Sequence, residues 1–178
     1  MDRNPYSPPA SVTEVVPGTT AASGPAGLAG WLVLVCLGLI VTPIRLAVFL
    51  LQTYPPIFRD GTWQRITTPG AGAYHPVWGP LLVFEIIINA AFIATSIYLL
   101  FLFFQRSWRF PGIYVAFLVV NLLFMFADAL AVHFILPGRP LFDSESGAEL
   151  GRAILSVVIW VPYMFLSRRV KNTFVRTS

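Results

Sequence analysis

Four long stretches of this chain are apolar with few charges: about Leu28 to Gln52, Gly79 to Phe104, Pro111 to Leu136 and Glu149 to Ser167. About 20 apolar residues at 1.5 Å rise cross the ~30 Å hydrocarbon layer, so each stretch is long enough to span. The pattern predicts an all-α fold, a polytopic membrane protein built as a four-transmembrane-helix bundle. Pro43 and Pro162 interrupt two of the stretches, which membrane helices tolerate better than soluble ones. The connection "QRSWRF" is short and makes the second and third helices antiparallel neighbours. Tyr54 to Trp78 reads as a long loop, and "PGRPLFDSESGA" as a polar turn before the fourth helix. Residues 1–27 hold five prolines among Ser, Thr, Gly and Ala, a composition that predicts a disordered tail. This tail lacks the positive start and cleavage site of a signal peptide. Residues 168–178 read as a basic tail.

Composition strengthens the membrane reading. The chain is 56% hydrophobic and 11% charged, whereas soluble domains use about 25% charged residues. The net charge of +4 does not point to nucleic acid, because the basic residues are scattered or border the apolar stretches. Their distribution sets an orientation instead. Arg3, Arg106, Arg109, Arg168, Arg169, Lys171 and Arg176 lie on one side, against Arg59, Arg65, Arg139 and Arg152 on the other. The excess places both termini in the cytoplasm. Tyr54, Trp63, Trp78 and Trp108 fall near the predicted boundaries, as an aromatic belt requires. Cys36 is the sole cysteine and sits in an apolar run, so neither an intrachain disulfide nor a Cys-rich metal site is expected.

Charges inside the apolar stretches are the candidate chemistry. Arg45, Glu85, Asp128 and Arg152, one per helix, count to within roughly 5–12 Å of the outer boundary at 1.5 Å per residue. Two positive and two negative groups in one layer suggest an ion-pair network, with Glu85 facing Arg45 or Arg152. Such charges are costly in lipid and are functional by default, so the alternative is a wet pocket open to the periplasm. Polar neighbours support inward-facing stripes: Thr42 near Arg45, Asn89 and Ser96 on the face of Glu85, Asn121 on that of Asp128, and Ser156 near Arg152. His133 lies near the outer end of the third helix. The outer loop adds Trp63, Tyr74, His75 and Trp78. No His/carboxylate spacing matches a known metal site, no nucleophile–base set is visible, and no cofactor is implied. The cations Arg168, Arg169, Lys171 and Arg176 serve as a topology signal and could also meet anionic lipid headgroups.

Several segments occur in an order that resembles a known family. They are "GWLVLVCLGLIVTPIRL", "TTPGAGAYHPVWGPLLVFEIIINAA", "YLLFLFFQRSWRFPGIYV", "FADAL" and "IWVPYMFLSRRVKNTFVR". Together they resemble the YdgK-like bacterial inner-membrane proteins, a domain-of-unknown-function family, across about Gly30 to Arg176. The resemblance implies a four-helix inner-membrane protein and supplies no mechanism. The expectation is therefore a non-enzymatic accessory or interaction protein of the envelope, working with a membrane partner or as a homo-oligomer. A small transporter or channel using the charged layer is the alternative, and a membrane-embedded enzyme comes third.

Overall fold

The computed structural model describes residues 26–136, 138, 140–142 and 144–175. The expected disordered tail lies almost wholly outside these residues, as does Arg176. Among the described residues every regular element is helical: α1 (Trp31–Arg59), α2 (Thr62–Thr67), α3 (Trp78–Phe104), α4 (Phe110–Ile135), α5 (Ser144–Leu166) and α6 (Arg168–Thr173). Four of these, α1, α3, α4 and α5, are long and apolar enough to cross a membrane. Lipid offers no partner for backbone N–H and C=O groups, so an apolar spanning segment satisfies them within its own helix. Large side chains such as Leu51, Ile87, Leu123 and Leu155 stay on the outside of the bundle, where lipid replaces a protein core.

The helices differ from their expected limits at three places. α1 continues past Gln52 to Arg59, through Pro55 and Pro56. Two consecutive prolines remove two donors and ordinarily end a helix. Here Tyr54 is buried and bonded to Glu85 on α3, which holds the extension in place. The expected long loop also contains a short helix. Gly61 takes a left-handed φ of 76° that turns the chain, Asp60 Oδ1 accepts the Thr62 N–H at 3.0 Å, and Trp63 packs on Phe58. Finally, the start of the basic tail is helical. The Ser167 hydroxyl accepts the Val170 N–H, which supplies the N-cap, while Val170, Thr173 and Phe174 turn inward.

Packing is uneven along the bundle. α1 lies mainly along α3 and α4 along α5, and the two pairs meet through α3 and α4. The buried core gathers at the end that holds both described chain ends. There Leu32 and Val35 of α1, Leu99 and Phe103 of α3, Phe110 of α4 and Met164 of α5 are all 2% exposed or less. Phe174, just beyond α6, stacks on Phe110 with ring centroids 4.7 Å apart. Phe103 meets Phe110 edge-on at 5.2 Å, an aromatic geometry that adds to plain burial. A clasp between backbone and side chain closes this end, since the Gly27 N–H donates to Thr173 Oγ1 at 2.9 Å.

Candidate functional site

At the far end of the bundle the helices surround a cavity of about 290 Å³. α1 contributes Phe49 and Tyr54, α3 Glu85 and Asn89, and α4 Phe124, Asp128 and His133. The α4–α5 connection and the first turns of α5 close it with Phe142 and Glu149. The Tyr54 hydroxyl donates to Glu85 Oε2 at 2.9 Å. The Asp128 carboxyl on α4 lines the same cavity as Glu85. Asp128 Oδ1 is buried and accepts no hydrogen bond among the described residues. Two bare carboxylates repel each other in a low-dielectric setting, and ionised carboxylates can only accept. A donor or a cation between them relieves both problems.

The arginines expected beside Glu85 are elsewhere. Arg45 Nη2 donates to Glu149 Oε1 at 3.1 Å, and Arg152 Nη2 lies 3.6 Å from the same oxygen. Counted at 1.5 Å per residue from the packed end, Arg45 and Arg152 stand about 21 Å along α1 and α5. Glu85 and Asp128 stand about 27–29 Å along α3 and α4 by the same count. The four charges thus separate into two groups. Glu149 takes both arginines, and Glu85 meets Tyr54 instead of an arginine. The physical reason is the length of α1: its extension to Arg59 sets Arg45 farther from the outer end and carries Tyr54 to where its hydroxyl reaches Glu85.

The polar neighbours are largely satisfied by their own helices. Thr42 donates to Gly38 O, Asn89 to Glu85 O, and Ser156 to Arg152 O. Ser96 is buried and within bonding distance of Phe92 O and Ile93 O. Asn121 Nδ2 approaches Met125 Sδ at 3.7 Å. Of these, Asn89 also lines the cavity. Trp63, Tyr74 and His75 border a separate, shallow and mostly apolar hollow of about 560 Å³ against the start of α3, and His75 Nδ1 accepts the Val77 N–H. Trp78 opens α3 and its N–H donates to His75 O. No group of three or more His, Cys, Asp and Glu suited to a metal occurs among the described residues.

Sequence reasoning missed two members of this region. Tyr54 was legible only as a boundary aromatic, because nothing in the spacing pairs it with a residue 31 positions away. Glu149 had a signal, since it precedes Arg152 by three residues and therefore shares its helix face.

No curated protein and no solved structure matches the chain. A family model described as "Protein of unknown function (DUF2569)" matches residues 25–175, a range that takes in all six helices and both charge groups. The four long apolar helices make the chain a multi-pass membrane protein, and by that match it belongs to the DUF2569 family.

Proposed function

We propose that the chain is a non-enzymatic, YdgK-like protein of the bacterial inner membrane, with both termini cytoplasmic and the cavity facing the periplasm. In this reading it binds the positively charged or donor-bearing group of a small ligand. One observation carries the proposal: Glu85, Asp128 and Tyr54 converge on a cavity while Arg45 and Arg152 are engaged by Glu149. An unpaired buried acceptor costs about 1–3 kcal/mol, which a bound donor would recover. Phe49 and Phe124 add aromatic walls of the kind that attract ammonium groups.

A pore has less support. Below the cavity Ser96 bonds to its own helix, and the packed core around Leu99 and Phe103 follows. A conducting path needs polar groups free to hydrate an ion along its whole length.

The test is a thermal-shift titration of purified protein in neutral detergent with a series of primary and quaternary alkylammonium ions. A saturable rise in midpoint that disappears in Glu85→Gln/Asp128→Asn is expected. Absence of any rise across the series, or a rise indifferent to the double substitution, would overturn the proposal. Reconstituted protein should pass no ion current; a current removed by Asp128→Asn would favour transport instead.

A further inference from the structure

The opposite end of the molecule carries a second, differently charged surface. Arg106 and Arg109 lie in the turn between α3 and α4, and Arg168, Arg169 and Lys171 lie on α6. Phe174 packs the segment after α6 against the α3–α4 turn. Its ring stacks on Phe110 and meets Phe103 at 5.9 Å, and those two phenylalanines flank the α3–α4 turn. The described aspartates and glutamates sit at the other end: Asp60 follows α1, Glu85 and Asp128 line the cavity, and α5 carries its glutamates in its first two turns.

Two details show that the cations are not merely spread over a surface. Arg106 has φ 52°, a left-handed conformation at a helix end where glycine is unstrained and a long side chain is not. A residue kept in such a conformation invites a functional explanation. Arg169 is turned toward the start of α1, with Nη1 3.4 Å from Ala26 O and its guanidinium beside Gly30. It ties α6 to the start of α1 and leaves Arg106, Arg109, Arg168 and Lys171 exposed. Arg109 also lies over the Trp108 ring at 5.6 Å. All of these residues directly adjoin spanning helices, so the phosphates nearest to them belong to the lipid bilayer.

We propose that this face binds the phosphate headgroup of an anionic phospholipid, which clamps α6 against the α3–α4 turn. Phosphate oxygens would take guanidinium donors from both segments at once, the planar geometry that suits arginine. Because α6 also holds the Gly27–Thr173 clasp, headgroup binding would stabilise the packed end as a unit. This inference is independent of the cavity at the other end.

The experiment compares full-length protein in a zwitterionic detergent with added phosphatidylglycerol, phosphatidylcholine or inorganic phosphate, following the thermal midpoint. Phosphatidylglycerol should raise the midpoint in a salt-sensitive way, and the other two should not. Arg109→Gln/Arg168→Gln/Lys171→Gln should remove the response. Arg106→Gly should start from a higher midpoint, because its strain is relieved, and still respond less to phosphatidylglycerol. Should the triple variant fail to fold, Arg106→Gly alone decides the matter. Equal stabilisation by phosphatidylcholine, equal stabilisation by inorganic phosphate, or an undiminished response in the folded variants would each overturn the proposal.

Discussion

The two ends of this bundle are built from the same four spanning helices and hold together by different physics. At the packed end, small differences in shape matter. Leu32, Phe103 and Phe110 are completely or almost completely buried, and aromatic rings from α3, α4 and the segment after α6 interlock. Attraction there comes from dispersion and close packing, since lipid tails are as apolar as the side chains they leave. At the other end the helices surround a cavity, and polar contacts between them, Tyr54 with Glu85 and Arg45 with Glu149, accompany aromatic ones such as Phe84 with Phe124. The lesson is a division of labour along the membrane normal. One end fixes the bundle, which leaves the other free to surround a cavity.

The comparison can be broken most easily at the packed end. Phe110→Ala removes a ring that touches Phe103, Tyr114 and Phe174, and truncating a buried Phe costs about 3–5 kcal/mol. Denaturation in mixed micelles should show that loss, and a loss below about 1 kcal/mol would mean the core is not the anchor.

A smaller effect is expected at the cavity. Tyr54→Phe deletes a hydroxyl that donates to Glu85 at 2.9 Å, with a cost of about 0.5–3 kcal/mol depending on the charge of the acceptor. A double-mutant cycle with Glu85→Gln should give a coupling energy of that size. Zero coupling would indicate that the α1 extension is held by packing alone.

The smallest effect concerns acid. The Thr62 N–H and hydroxyl hold the Asp60 carboxyl below its usual range. A lowered folded pKa contributes fully above the unfolded value of about 3.9 and is lost as pH falls through the folded value. The protection factors of the 60–67 segment, taken relative to intrinsic exchange at each pH, should therefore fall below about pH 3.9, with no comparable change in α6. In Asp60→Ala the segment should show low protection at every pH. An equal fall in α6 would erase the distinction between the ends.

Most of the architecture was legible in the sequence because the bilayer imposes it. Charge-poor runs of the right length must be helices in lipid, and α3 and α4 fall within one residue of their expected limits. The termini of α1 and α5 were less legible. Pro55–Pro56 reads as a stop, and the polar residues before Glu149 read as a turn, yet both helices run through these residues, and Tyr54 in the α1 extension bonds to Glu85 on α3. The same reasoning located Glu85 and Asp128 as costly intramembrane acids but set Glu85 against an arginine, where the structure bonds it to Tyr54. A seven-residue error in the length of α1 is about 10 Å along its axis, enough to move Arg45 away from Glu85 and put Tyr54 in its place.

What the sequence determined by itself, then, is the set of spanning helices, the antiparallel turn at "QRSWRF" and the presence of polar groups in the membrane. Those follow from transfer energies that each residue carries with it. Which acid meets which partner depends on the relative axial positions of α1, α3, α4 and α5, and so does the closing of one end while the other stays open. Side-chain packing between helices sets those positions, and no residue encodes them alone.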